Sequence, residues 1–422
     1  MNGSSLGMRS RLATMMFLEY FIWGAWYVTL STYLERGLHL SGSQIGLAAG
    51  STAVGAMVAP FFVGLVADRF FDTRFVLAAL HAVGAVVLFL AAQQRAFAGV
   101  YALLLLYALL YMPTLALTNS LAFRQMRDPK LEFGPIRVLG TAGWIVAGLL
   151  VGSLGLESTA HPMQMAAAVS LGMALYCFTL PATPPLARDA GAVSPGGLFP
   201  REAISILREK PVAIFAFASF LICIPLQFYY AFTNLFLNEA GVRNAAGKMT
   251  GGQFSELGCM LLIPWFFRRL GVKGMLIAGM SAWVLRYALF AYGGVGARMP
   301  MLWLGILLHG ICYDFFFVTG QIYIDRKASV ALRAAAQGLI TFITYGVGMF
   351  VGSWASGAVV EHYTMPAAYG APGHAWTPIW LIAAGASAVA LLLFALLFHD
   401  RETMETAITP QASEAFATEA PL

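Results

Sequence analysis

Long apolar runs separated by short polar breaks organise this chain. Reading the runs between breaks gives segments at 11–34, 43–68, 74–93, 98–124, 131–154, 163–182, 211–238, 248–268, 272–293, 299–325, 331–359 and 375–398. A helix of about 20 apolar residues crosses the bilayer core. Apolar residues on every side of such a helix, rather than along one stripe, predict a lipid-embedded span. Several segments exceed the bilayer thickness and must tilt or protrude. The expected fold class is therefore all-α integral membrane, with twelve transmembrane helices.

The breaks are unequal. The longest stretch without an apolar run lies between the sixth and seventh segments and contains PATPPLARDAGAVSPGG, whose Pro and Gly content marks a linker. This divides the chain into an N-terminal six-helix half (1–182), a cytoplasmic linker (183–210) and a C-terminal six-helix half (211–400). A polar tail without periodicity, 401–422, is expected to be disordered. Two matches recur at an offset of 200 residues: Arg69 with Arg269, and Gly148-Leu-Leu-Val-Gly-Ser153 with Gly348-Met-Phe-Val-Gly-Ser353. They point to a duplicated unit, and such repeats are common in secondary transporters that bind substrate between the halves.

Composition agrees with the pattern. Hydrophobic residues make up 59% of the chain and charged residues 11%, against roughly 25% charged in a soluble domain. A water-soluble fold is excluded. The net charge of +5 is no nucleic-acid signal, because what matters is where the basic residues lie. With the N-terminus cytoplasmic, eighteen of the 25 Lys and Arg residues fall on the cytoplasmic side and five on the other. Both termini are expected in the cytoplasm, in a multi-pass protein of the bacterial inner membrane. Cys177, Cys223, Cys259 and Cys312 lie in apolar runs without metal-ligand or disulfide spacing. The chain carries no phosphate-binding P-loop and no HExxH or GxSxG spelling, so neither ATP drive nor an enzyme is indicated.

Against this apolar background five charges stand out: Glu19, Arg137, Glu256, Arg286 and Asp314. A charge at membrane depth is costly unless it is paired or faces a water-filled cavity, which makes each a functional candidate. Gln253 and Glu256, three apart, share one helix face. Asp314 sits mid-segment between Tyr313 and Phe315; it is either a site that loads and releases a proton or a buried acid neutralised by a base. Arg286 is the candidate base, with Glu256 nearer in depth, and the pairing stays open. Arg137 either snorkels to the interface or faces a cavity, with Thr141 one turn further on the same face. By helical rise Glu19 lies about 12 Å and Arg137 about 9 Å from the inner face, so the two form a possible intramembrane pair.

Motifs then give these residues a context. Gly64-Leu-Val-Ala-Asp68-Arg69-Phe-Phe-Asp72-Thr-Arg74 resembles the G-x-x-x-D-R-x-x-x-[RK] signature of the major facilitator superfamily, lacking only its second glycine at Phe71. Gly64 permits close helix approach, while Asp68, Arg69 and Arg74 can form a charge cluster that latches the halves. Six further stretches resemble the nucleoside:proton symporter family of that superfamily: Pro113-Thr-Leu-Ala-Leu-Thr-Asn119-Ser, Pro135-Ile-Arg137-Val-Leu-Gly-Thr141, Gly252-Gln253-Phe-Ser-Glu256, Leu285-Arg286-Tyr-Ala-Leu-Phe-Ala-Tyr292-Gly, Tyr313-Asp314-Phe-Phe and Arg333-Ala-Ala-Ala-Gln337-Gly. The first segment, Met15-Met-Phe-Leu-Glu19-Tyr-Phe-Ile-Trp23-Gly-Ala-Trp26, is similar to one branch of it, named as nucleoside transporters.

That resemblance implies proton-coupled nucleoside symport by alternating access, with no bound cofactor and the proton gradient as coupling source. It implies a substrate site of Arg137, Thr141, Trp144, Gln227, Tyr230, Gln253, Glu256, Tyr313 and Asp314. Proton coupling is expected at Asp314, Glu256 and Glu19, and a structural role at Arg286. The implied partners are a nucleoside or related small polar solute, protons and the lipid bilayer, with a monomer as the unit. Departures from the family pattern bear on base preference: Tyr230 replaces an asparagine, Trp144 a phenylalanine and His309 an aromatic hydroxyl. A sugar or oligosaccharide:proton symporter is the alternative reading, and a non-transporting membrane receptor a more remote one.

Overall fold

A computed structural model describes residues 6–62, 71–185, 204–329, 332–366 and 373–400. Gly64, Asp68 and Arg69, most of the linker and the whole tail lie outside the described residues. The described chain is almost entirely helical, because a segment without access to water must satisfy its backbone internally. The helices are α1 (Leu6–Trp26), α2 (Leu30–Arg36), α3 (Gly42–Phe62), α4 (Thr73–Gln93), α5 (Phe97–Gln125), α6 (Pro129–Ser153), α7 (His161–Tyr176), α8 (Lys210–Glu239), α9 (Ala245–Met249), α10 (Gly251–Tyr292), α11 (Met299–Leu307), α12 (His309–Tyr313), α13 (Thr319–Lys327), α14 (Arg333–Thr341), α15 (Met349–His362) and α16 (Trp376–Leu397). The only strands among the described residues are the pair Thr364–Met365 and Gly373–His374.

Nine helices in the described residues are long and apolar enough to cross a membrane. The first expected span is divided: α1 ends at Trp26, and α2 continues after a short turn. The eighth and ninth expected spans run as one element, α10, interrupted by Gly271 at φ +61°. Two segments contain a π-helical stretch, Asp314–Val318 between α12 and α13 and Phe342–Gly348 between α14 and α15. Such insertions re-aim side chains and are frequent at functional sites. Both fall on helices that line the central cavity.

Packing sorts the helices into two groups. In the first, α1 packs on α6 and α7, α3 on α5, and α4 on α5 and α7; in the second, α16 packs on α8 and α10, and α8 on α15. Aliphatic side chains left exposed, among them Val83 and Val86 on α4 and Leu392 and Leu396 on α16, face outward where lipid replaces water.

Contact between the groups is concentrated at the end remote from the N-terminus, through α3 on α15, α6 on α9 and α2 on α8. Small residues permit the approach. A Cβ at Gly42 would stand 2.7 Å from the Gly357 carbonyl oxygen, and one at Gly46 would overlap the Ser353 carbonyl. The repeated glycines serve the same purpose against different partners. Gly148 and Gly152 meet Thr250 and Asn244 across the groups, whereas Gly348 and Gly352 meet Cys223 and Ile224 of α8 within one group.

At the opposite end, Asp72 caps α4, accepting from the Arg74 N–H at 3.1 Å and from the Thr183 N–H at 3.1 Å. The Arg74 side chain lies 3.4 Å from Asp72 and donates to the Leu180 carbonyl. Arg74 thus ties the end of the first group to itself, while Asp68 and Arg69, the other charges of the expected cluster, lie outside the described residues.

Candidate functional site

Between the two groups lies a cavity with about 800 Å³ of space not filled by protein atoms, part of it open to the outside. Helix α1 contributes Tyr20 and Trp23, and Tyr27, in the turn just after it, continues the same stripe at a spacing of four. Opposite, α6 places Arg137, Thr141 and Trp144 on its own stripe, and α3 adds Thr52. The second group supplies Tyr230 from α8, Gln253 and Glu256 from α10, His309 and Tyr313 from α12, Tyr345 from the π-helical stretch and Met349 from α15.

Polar and aromatic surfaces alternate around this space. The Arg137 guanidinium stacks over the Tyr20 ring at 3.9 Å, a cation–π contact. Arg137 on the first group and Glu256 on the second give the cavity a basic and an acidic side chain from opposite groups. Trp23 and Trp144 meet edge to face with ring centres 5.5 Å apart. Across from them His309 stacks on Tyr229 at 5.3 Å, with its Nε2 3.8 Å from a Glu256 carboxylate oxygen. The Tyr313 and Tyr345 hydroxyls share a hydrogen bond of 2.8 Å.

Seven of the nine expected substrate residues line the cavity: Arg137, Thr141, Trp144, Tyr230, Gln253, Glu256 and Tyr313. The other two stand behind the wall. Gln227 is fully buried beside the Tyr27 hydroxyl, and neither of its amide atoms has a hydrogen bond of ordinary geometry. Asp314 is also fully buried, and neither carboxylate oxygen has a hydrogen-bond partner. Asp314 begins the π-helical stretch, and its neighbour Tyr313, not Asp314 itself, lines the cavity.

Two expected pairings resolve differently. Glu19 does not pair with Arg137. One of its carboxylate oxygens lies 3.0 Å from His81 Nε2 and the other accepts from Thr114 at 2.6 Å, while His81 Nδ1 meets Ser170 at 3.1 Å. Consecutive helix residues point about 100° apart, so α1 turns Tyr20 to the cavity and Arg137 while Glu19 faces α4 and α5. Arg286 pairs with neither acid. Buried on α10, it donates to the Gly305 carbonyl at 3.0 Å and lies over the Tyr229 ring at 4.0 Å. The ring face supplies electron density that a carboxylate would otherwise provide.

The expected set omitted Tyr20, Trp23, Tyr27, Thr52, Tyr345 and Met349, and left His309 outside its substrate residues. The α1 stripe was detectable, since 20, 23 and 27 follow the helical period. Thr52, Tyr345 and Met349 carry no comparable mark in apolar surroundings. Among the described residues no group of three His, Cys, Asp or Glu side chains is placed to hold a metal, and all four cysteines are free.

Residues 6–403 match the family described as nucleoside H+ symporter. The chain belongs to that family. It is 41% identical over 412 residues to the Escherichia coli transporter YegT, covering 94% of this chain and 96% of the relative. It is 32% identical over 408 residues to the Escherichia coli nucleoside permease NupG, covering 93% and 96%. The crystal structure of the nucleoside transporter NupG superposes with a TM-score of 0.85, at 32% identity, over 94% of this chain and all of that one. The fold is thus that of a multi-pass membrane transporter, as the spans and signature motif implied, and the family consists of transporters rather than enzymes.

Proposed function

We propose that this protein carries nucleosides with protons across the bacterial inner membrane, through two six-helix halves that alternate around the central cavity. One observation supports this most strongly. Arg137 and Glu256 approach the same cavity from opposite groups, between aromatic walls. Glu256 and Gln253 suit ribose hydroxyls, Glu256 as a charge-assisted acceptor, while Arg137 and Thr141 suit carbonyl oxygens of the base. Trp144, Tyr230 and Tyr313 offer rings for stacking on it. Gln227, behind Tyr27, supports that wall.

Asp314 takes the proton in this reading. An ionised carboxylate buried without partners is expensive, and the arrangement described suits the proton-loaded form. Contact between the groups at the end remote from the N-terminus leaves this conformation closed there. With the basic residues on the cytoplasmic side, both termini are cytoplasmic and the cavity faces inward. The proton gradient drives uptake without a bound cofactor, and the working unit is a monomer.

The test is uptake of labelled uridine in cells lacking nucleoside transport, with and without an uncoupler. Uncoupler-sensitive uptake that free nucleosides compete and disaccharides do not is expected; competition by disaccharides alone would move the protein to the sugar class.

Glu19 is the third residue expected to take part in coupling, now with His81 as its partner. Glu19→Gln keeps the side-chain shape and removes the charge facing the imidazole. Proton-coupled uptake should fall several-fold while exchange of substrate across the membrane persists. Unchanged uptake at every external pH would remove Glu19 from the coupling scheme.

A further inference from the structure

Glu157 lies in the turn between α6 and α7, only 5% exposed, at the end of the molecule where the two groups meet. One of its carboxylate oxygens accepts from Asn234 Nδ2 at 2.9 Å and from Asn238 Nδ2 at 2.6 Å. The other accepts from the backbone N–H of Ala246 at 3.1 Å. All three donors belong to the second group, two on α8 and one on α9, while Glu157 belongs to the first. A second bridge extends the network, since Thr32 of α2 donates to Asn234 Oδ1 at 2.6 Å.

We propose that Glu157 is a positioning residue for transport, the polar keeper of the gate remote from the N-terminus. The reasoning starts from what the carboxylate does. Ionised, it is acceptor-only and matches a pocket that offers it three neutral donors. Bonds to a charged acceptor are the stronger kind, so this contact favours the closed gate more than the apolar contacts around it.

Separating the groups would break every one of these bonds together, yet each freed group can be taken over by water entering the gap. The network therefore acts as a reversible latch. Its surroundings support that use: Gly152, one turn of chain earlier, lets α6 approach Asn244, and Asn244 caps α9 in a left-handed conformation (φ 54°), accepting from the Gly247 N–H at 3.1 Å. The Ala246 N–H is thus presented to Glu157 by a fixed turn. On the exposed side of the same gate Glu361 of α15 accepts from Ser41 and from the Ser43 N–H, at 3.0 and 2.9 Å. Each group contributes one carboxylate to the other.

This is a claim about the conformational balance and stands apart from the nucleoside reading, so it is tested without substrate. Spin labels are placed at Gln94 and Ala297, in the remote-side loops of the two groups, with Cys177, Cys223, Cys259 and Cys312 replaced by serine. The distance distribution is then measured in lipid nanodiscs. Glu157→Ala should produce a longer-distance population and shift the closed-to-open ratio about tenfold or more. Glu157→Gln, which keeps one acceptor oxygen, should give a smaller shift in the same direction. Asn238→Ala, at the half-buried end of α8, removes one donor with little risk to folding and should shift the ratio similarly. A second label pair at Phe71 and His399, on the opposite side, should shorten in step. Distributions identical to the parent in Asn238→Ala and in a well-folded Glu157→Ala would overturn the proposal. Lengthening on both sides at once would also overturn it, as loss of structure rather than of a gate.

Discussion

Glu256→Ala should weaken nucleoside binding about 10- to 100-fold. Glu256 is the one acid among the described residues lining the cavity, and a hydrogen bond to a charged group contributes about 1.5–3 kcal/mol, with each 1.4 kcal/mol worth a factor of ten. The substitution also removes the acidic side chain that shares the cavity with Arg137. Glu256→Gln keeps an acceptor oxygen and the side-chain volume, so its loss should be nearer tenfold. Binding of labelled uridine to purified protein, by scintillation proximity or calorimetry, gives the two constants directly. A 2′-deoxynucleoside should lose less on either substitution if Glu256 reads the ribose hydroxyls. Affinity unchanged in Glu256→Ala would displace the ribose from this side of the cavity.

The sequence exposed the costly residues more readily than their partners. Glu19, Arg137, Glu256, Arg286 and Asp314 were conspicuous because an apolar background penalises each of them. Which group neutralises which depends on rotation about helix axes that spacing alone fixes loosely. Glu19 and Arg137 lie at similar depth, yet a difference of one residue on α1 separates the cavity face from the face toward His81. Arg286 finds the Tyr229 ring and a backbone carbonyl, partners that any apolar helix offers and that no charge pattern announces. Glu157 escaped notice for a different reason. It occupies a polar turn where a carboxylate looks ordinary, and only the approach of the two groups buries it. Most span boundaries within the described residues were legible to within a few residues, except where the polar break was too short to separate α10 into two elements and where the turn after Trp26 is itself apolar; the expected end of the second span lies outside the described residues.

Asp314→Asn should abolish accumulation while leaving exchange intact. The side chain keeps its size in a fully buried position outside the cavity lining, so the fold and the cavity are preserved. What the amide cannot do is take up and release a proton. At a membrane potential of about 100 mV, one proton carries about 2.3 kcal/mol of electrical energy, enough to concentrate a neutral solute about 50-fold. In proteoliposomes with an imposed potential, the parent protein should concentrate uridine inside. The Asn variant should reach equal concentrations and stop there. With unlabelled uridine preloaded, labelled uridine should still enter the variant's vesicles, because exchange needs the cavity and the moving halves but no net proton transfer. Accumulation matching the parent would leave Asp314 as a buried structural acid, and Glu256 would then be the remaining candidate on that side of the cavity. Loss of both accumulation and exchange would instead place Asp314 in the structure of the closed or open state, a distinction that thermal stability of the purified variant resolves.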